Sequence, residues 1–252
     1  MQKSAGAIYR NDSLQWAILE RTREGWAFGD GGTIEGELPQ AIQQVKATFR
    51  GLTPYIGLDL HASEIELRQG TEPQREIVNS IKLAAGDKRV VAIANVDLAD
   101  TTTWKLAIHA GRDEVASVLA PWRRAGIDPI GLEPLEIAWL RVAAHHDAIL
   151  DLREKIPTLI AFGTIQIAMT ATTNVVTAIR EARSQGAVVN TVLVLGEIPT
   201  NVSAEHEGIT FTPFSVAHFE NPPWADAFAI ASAACGREIG RKVKATQKER
   251  AA

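Results

Sequence analysis

Residues 4–10 and 14–21 alternate apolar and polar positions at the period of two that a half-buried strand requires. Asn11-Asp12-Ser13 between them is turn chemistry, so the two runs read as a hairpin. Glu24-Gly25 gives a second turn, and Trp26–Glu35 reads as a third strand that Gly29, Gly31 and Gly32 weaken or bulge. The period then changes. Leu38, Ala41, Ile42, Val45 and Phe49 fall on one face of a helix that Gly51 stops. Strand-like runs follow at 55–60 and 64–68. Pro73 opens a helix that continues through Ile77 and Ile81 to Gly86. Residues 89–96 and 104–109 are further strands. Two helices come next, at 112–125 and 134–146, with a short strand at 130–132 between them. Residues 147–155 are rich in charge and read as an exposed connection.

In the second half, an apolar strand at 158–162 meets Gly163, a second strand runs over 164–171, and a helix follows to Ser184. Residues 190–195 form a buried strand ending at Gly196, and 199–207 a short helix or loop. Residues 209–212 are a short strand, 213–223 irregular, and 224–239 an alanine-rich helix able to pack closely on a neighbour. Each half thus begins with a strand pair and continues into helices and buried strands. The expected class is α/β, with a first lobe at 1–150 carrying an inserted subdomain at about 36–100. A second, shorter lobe covers 151–240 and a basic tail 241–252.

Composition narrows the field little. With 252 residues, 46% hydrophobic and 22% charged, the chain can bury an ample core, and its net charge of −4 does not suggest a nucleic-acid-binding face. Cys235 is the single cysteine, which rules out an internal disulfide and a cysteine-rich metal site. No signal peptide and no apolar run of the ~18–20 residues needed for a membrane span is visible. The end of the chain carries Arg237, Arg241, Lys242, Lys244, Lys248 and Arg250 against Glu238 and Glu249. That is either a solvated helix end or a segment suited to lie beside anionic lipid.

Residues 118–142, VLAPWRRAGIDPIGLEPLEIAWLRV, carry a family resemblance. Ala125-Gly126, then Ile127-Asp128-Pro129, Glu133 and an apolar helix from Leu135 resemble the PilM component of type IV pilus assembly. They also resemble the actin-like cytoplasmic part of GspL in type II secretion. The resemblance continues through the strand pair at 156–170, residues 191–196, Ile209, Pro213 and the small-residue helix 225–234. It implies an actin-like (ASKHA, RNase H-like) fold of two lobes with duplicated mixed sheets and a small inserted subdomain. It also implies a cytoplasmic protein at the inner face of the cell membrane.

The family's nucleotide motifs are altered here. The first phosphate loop is replaced by SAGAIYRNDS at 4–13. The second lacks an Asp before Gly163, whose place is taken by Ala161 or Phe162, and the nucleoside-side turn is Gly196-Glu197. In such sites a carboxylate holds the metal of the metal–nucleotide complex, and glycines let backbone N–H groups approach phosphate. Gly163, Thr164 and Gly196 are therefore the cofactor-binding candidates only on the alternative reading, an ATP-binding enzyme that uses magnesium. No catalytic residue and no metal ligand is expected. The favoured expectation is a non-catalytic scaffold of a pilus or secretion assembly platform with no cofactor. By resemblance its partner is a PilN-like inner-membrane protein, whose cytoplasmic tail would lie in a groove of the first lobe at roughly 38–96, together with other platform proteins.

Other motifs have plainer readings. GDGGTIEG at 29–36 looks like a phosphate loop but reads as a bulged turn, without the Gly-Lys-Ser/Thr of a Walker A motif. His145-His146-Asp147 reads as a polar helix end, since adjacent helical residues diverge by about 100°. Six scattered tryptophans read as core anchors, with Trp224 expected at a surface or lobe junction.

Overall fold

The computed structural model describes residues 2–23, 25–58, 64–97, 103–143, 146–153, 157–162, 167–171, 175–198, 205–206, 208–216 and 218–234. The chain opens with β1 (Lys3–Arg10), β2 (Ser13–Arg21) and β3 (Trp26–Glu35), an antiparallel meander. The bulge expected from the glycines is present: the β2–β3 register shifts between Ile18 and Leu19, leaving Gly29 unopposed. Helix α1 (Leu38–Val45) follows, then β4 (Tyr55–Leu58), which runs parallel to β1.

A smaller element set comes next: β5 (Ile65–Gln69), α2 (Gln74–Ala85), β6 (Arg89–Asp97) and β7 (Thr103–Gly111). It forms a three-stranded sheet in the order β5-β7-β6, and Ile77 and Ile81 of α2 are buried against Ala107. The chain then gives α3 (Arg112–Arg124), β8 (Gly131–Pro134) and α4 (Leu135–Val142). Strand β8 completes the first five-stranded sheet, β3-β2-β1-β4-β8. The units α1–β4 and α3–β8 are built alike. A left-handed glycine (φ +76° in both) follows each helix, Gly126 directly after the α3 cap and Gly51 after a run of turns from the end of α1, and proline precedes each strand by one or two residues, at Pro54 and Pro129.

The remaining strands are β9 (Ala148–Asp151), β10 (Thr158–Phe162) and β11 (Ile167–Ala171), then α5 (Val175–Ser184) and β12 (Thr191–Leu195). After them come β13 (Glu205–His206), β14 (Ile209–Pro213), β15 (Ser215–Val216) and β16 (Phe219–Glu220). The chain closes on α6 (Ala225–Ala231) and a 3-10 turn, Ser232–Ala234. The second large sheet has the order β11-β10-β9-β12-β14-β13.

Four expectations need correction. Residues 147–155 are not an exposed connection: Ala148–Asp151 is the strand around which the second sheet is built, and all four residues are buried. Helix α1 and strand β4 do not belong to an inserted subdomain. Ile42, Val45 and Ile56 pack with Trp122 in the core of the first sheet, so the insertion starts after β4. Trp224 is 5% exposed and stacks on Phe28 at 4.1 Å with an interplanar angle of 3°. Finally, the described part of the closing helix is seven residues and a 3-10 turn, shorter than the expected 224–239, of which 235–239 lie outside the described residues.

The compact units interleave in sequence. One comprises Met1–Leu60, Gly111–Val142 and Val216–Arg237, the other His61–Ala110, Ala143–Ser215 and Glu238–Ala252. The expected boundary at 150 falls within β9. The chain returns to its first unit because α6 seats on β1. A Cβ at Gly6 would lie 2.3 Å from the Ala231 nitrogen and 2.6 Å from the Ala227 carbonyl oxygen, so only glycine lets the helix approach this closely. Ser4 Oγ donates to the Ala231 carbonyl at 2.6 Å beside that contact.

Candidate functional site

The two large sheets share one plan. In each, a central strand (β1 or β9) has an antiparallel pair of strands on one side (β2, β3 or β10, β11). On its other side lie two parallel strands (β4, β8 or β12, β14). Ligands of open α/β sheets bind beyond the carboxyl ends of the parallel strands. The positions to inspect are therefore the turns that leave β1 and β9, with the end of β12.

This plan relocates the second hairpin. The partner of the β1–β2 turn is the β9–β10 connection, not the turn at Gly163. In the sheet register Ala161 lies beside Ala148 and Val192, where β12 begins, whereas Thr158 lies beside Asp151 and Leu195, where β12 ends. Phe162, where β10 ends, is thus at the opposite end of the sheet from Leu195, which precedes Gly196. Gly163 and Thr164 themselves lie outside the described residues. Of the three candidate residues only Gly196, at the end of β12, is described.

The carboxylate that seemed to be missing stands one strand earlier, as Asp151 at the tip of β9. Its two oxygens face Arg153: Nε donates to Oδ1 at 2.9 Å, Nη2 to Oδ2 at 2.6 Å, and the Arg153 backbone N–H to Oδ1 at 3.1 Å. A bidentate guanidinium–carboxylate contact is among the strong hydrogen-bonded pairs in proteins. Gly196 (φ +93°) closes over this pair, since a Cβ there would lie 3.3 Å from both Arg153 and Leu152. Packing of the β9 exit accounts for that glycine without a ligand.

The first sheet carries a similar pair at the same place, assembled differently. The turn after β1 consists of Asn11 and Asp12 (φ +50° and +55°), both left-handed as a two-residue hairpin turn requires. It contains no glycine, and Ser13 Oγ donates to the Arg10 carbonyl at 3.0 Å. Arg10, the last residue of β1, reaches Asp226 of α6 (Nη1 to Oδ2, 3.3 Å), and Trp139 Nε1 of α4 donates to the other carboxylate oxygen at 2.8 Å. Asp226 is 1% exposed. Arg21, the other arginine that could serve a phosphate from the first hairpin, donates to Gln2 at the far end of β2. No signal in the sequence joins Arg10 to Asp226, which are 216 positions apart.

A separate concavity lies at the amino ends of β4 and β8. It is an open cleft of about 750 Å³ whose lining includes Lys46, Arg50, Leu52, Ile127 and Asp128. Asp128 faces Arg123 at 3.9 Å. Near the carboxyl end of β8, Arg141 donates to Glu133. Burial raises the Glu133 carboxyl above its ordinary value, and Arg141 opposes that rise.

Asp147 of the His-His-Asp run is a tie for the second sheet. Its carboxylate accepts from the Asn190 and Thr191 backbone N–H groups at 2.9 and 3.0 Å, and His145 lies outside the described residues. Among the described residues no group of three or more His, Cys, Asp or Glu could hold a metal ion, and no helix is long and apolar enough to cross a membrane.

The duplicated sheets around two central strands define the actin-like α/β fold. The chain is similar over nearly its whole length to the cytoplasmic domain of EpsL, an inner membrane component of the type II secretion system of Vibrio cholerae. The TM-score is 0.62 at 12% identity, covering 94% of this chain and 98% of that one. A Bacteroides thetaiotaomicron protein described as having an actin-like ATPase fold and unknown function gives a TM-score of 0.46 at 6% identity, over 79% of this chain and 84% of that one. An Aquifex aeolicus Ppx/GppA phosphatase gives 0.41 at 7% identity, over 78% and 68%. No family model and no curated protein matches the chain.

Proposed function

We propose that this chain is a non-catalytic scaffold of a bacterial inner-membrane assembly platform, of the type II secretion or type IV pilus kind. It would work on the cytoplasmic face by docking a PilN-like membrane protein through that protein's cytoplasmic tail. The observation that carries the reading is the match to the EpsL cytoplasmic domain over 94% of one chain and 98% of the other, which leaves almost none of either fold unaccounted for. The strand tips support it. Asp151 is neutralised by Arg153, Arg10 is committed to Asp226, and the first turn has no glycine to bring its backbone N–H groups close to a phosphate.

We assign the tail to the cleft between the ends of α1 and α3, whose lining from Gln43 to Thr53 belongs to the stretch expected to form the groove, while Gly126, Ile127 and Asp128 lie outside it. Its cationic Lys46 and Arg50 and its apolar Leu52 and Ile127 suit a segment carrying both carboxylate and apolar side chains. Affinity purification from detergent extracts of the native host, with mass spectrometry, tests this. A bitopic inner-membrane protein with a short cytoplasmic tail is expected, and it is lost on Lys46→Glu with Arg50→Glu. Recovery of no membrane protein, or recovery unaffected by those changes, contradicts the proposal.

A further inference from the structure

The outer side of β3 has no strand paired to it among the described residues, although β3 is ten residues long. A strand edge of that length is a row of unpaired N–H and C=O groups, which proteins commonly shorten, cover or protect with lysine or proline. Trp26–Glu35 contains neither, and its protection against pairing with its own kind is the Gly29 bulge and the charges of Asp30 and Glu35. Beyond the Gly29 bulge, residues 30–35 run regularly against β2 and Gly31 and Gly32 carry no side chain, although the Gly31 N–H donates to Asp30 Oδ1 at 2.9 Å and an added strand would compete with that bond. The opposite edge of the same sheet differs: β8 has four residues, none of them exposed, and leads directly into α4.

Charge selects the kind of strand that fits. Asp30, Glu35, Glu37 and Asp12 are all exposed around this half of the edge, and none has a lysine or arginine partner among the described residues. Asp12 belongs here because Ser13 pairs with Glu35 and the Gly36 N–H donates to the Asp12 carbonyl. The field is felt nearby: the Tyr9 phenol is raised by partial burial and, after it, by the charges of Asp12 and Glu37. A second copy of the chain pairing along 30–35 would set these acids against themselves, which disfavours a dimer through this edge.

We propose that the outer edge of β3 over residues 30–35 is a strand-addition site for an extended, lysine- or arginine-bearing segment of a partner protein. Main-chain hydrogen bonds to the edge supply the contact, and the four acids supply its selectivity. The inference goes beyond the platform reading and does not depend on it, because none of residues 30–35 lines the cleft tested above.

Titration of the intact protein with a capped heptapeptide alternating lysine and valine tests it, read by amide shifts and hydrogen exchange. Three control peptides accompany it: the glutamate–valine counterpart, the lysine peptide with proline at its centre, and an unstructured lysine–glycine peptide. The lysine–valine peptide is expected to slow exchange within 30–35 and to bind about tenfold more weakly to the D30N/E35Q/E37Q variant. Its binding also weakens as salt shortens the screening length. The proline and glycine versions bind less well, and the glutamate version does not bind. Asp30→Asn alone, with an unchanged melting curve, gives an intermediate loss should the triple variant misfold. The proposal is overturned by no protection at 30–35, by equal binding of the glutamate or proline peptide, or by concentration-dependent self-protection of this edge.

Discussion

The two large sheets place an arginine–aspartate pair at the tip of the same central strand, but they obtain it in opposite ways. In the second sheet both partners come from one turn, Asp151 and Arg153 being two residues apart, and Arg153 retains 24% side-chain exposure. In the first sheet the carboxylate arrives from α6 at the other end of the chain and is almost fully buried under Trp139. One pair is local neutralisation. The other ties a helix to a sheet. The comparison teaches that an arginine–aspartate pair at a strand tip can form within one turn or by recruiting a remote acid into the core, and only the second route builds the fold.

Breaking the buried pair is the largest perturbation. Asp226→Ala leaves Arg10 and the Trp139 N–H without their acceptor, and a loss of about 3–5 kcal/mol is expected in denaturant unfolding. Gly6→Ala attacks the same helix by sterics. Its added methyl meets backbone atoms that cannot rotate away, and a loss of about 1–3 kcal/mol follows, measured in the same way. Arg153→Ala removes a partly exposed, local partner but leaves the buried Asp151 carboxylate without its guanidinium, and a loss of about 1–3 kcal/mol is expected. A melting shift as large as that of Asp226→Ala would erase the distinction between the two tips.

The smallest effect is one of pH. Glu133 has its carboxyl raised above the ordinary 4.5 by burial, so between that value and the raised one the native state holds more protons than the unfolded chain. Stability contributed at this position therefore declines as pH rises through that window. Glu133→Gln should flatten that part of the stability–pH curve, and an unchanged slope would show that Glu133 does not titrate there.

Much of the fold was legible in local pattern. The first hairpin, the bulged third strand, the helices at α1, α2 and α3, and the buried β10 and β12 all announce themselves by period and by turn residues. The site was not legible, for one physical reason with two faces. Ala148–Asp151 is a four-residue strand flanked by His146, Asp147, Arg153 and Glu154, so any window long enough to show periodicity averages it into a polar connection. Missing it left the expected phosphate turn at Gly163, outside the described residues, with the β9 exit not considered. It also made the acid before that turn look lost when Asp151 was present and paired. The other face is distance. Nothing near Arg10 foretells Asp226, and the glycine that lets α6 approach, Gly6, resembles any small residue in a strand. A sharper signal was available in the apolar triplet Ala148-Ile149-Leu150 running into Asp151, the hydrophobic-strand-then-acid order expected of the motif.

The central claim is that neither strand tip serves a nucleotide, and titration of the protein with ATP and magnesium, followed by calorimetry, tests it most directly. The account predicts no saturable heat in the micromolar range for the native chain. Micromolar binding that is weakened by Asp151→Asn or by replacement of Gly196 would contradict it.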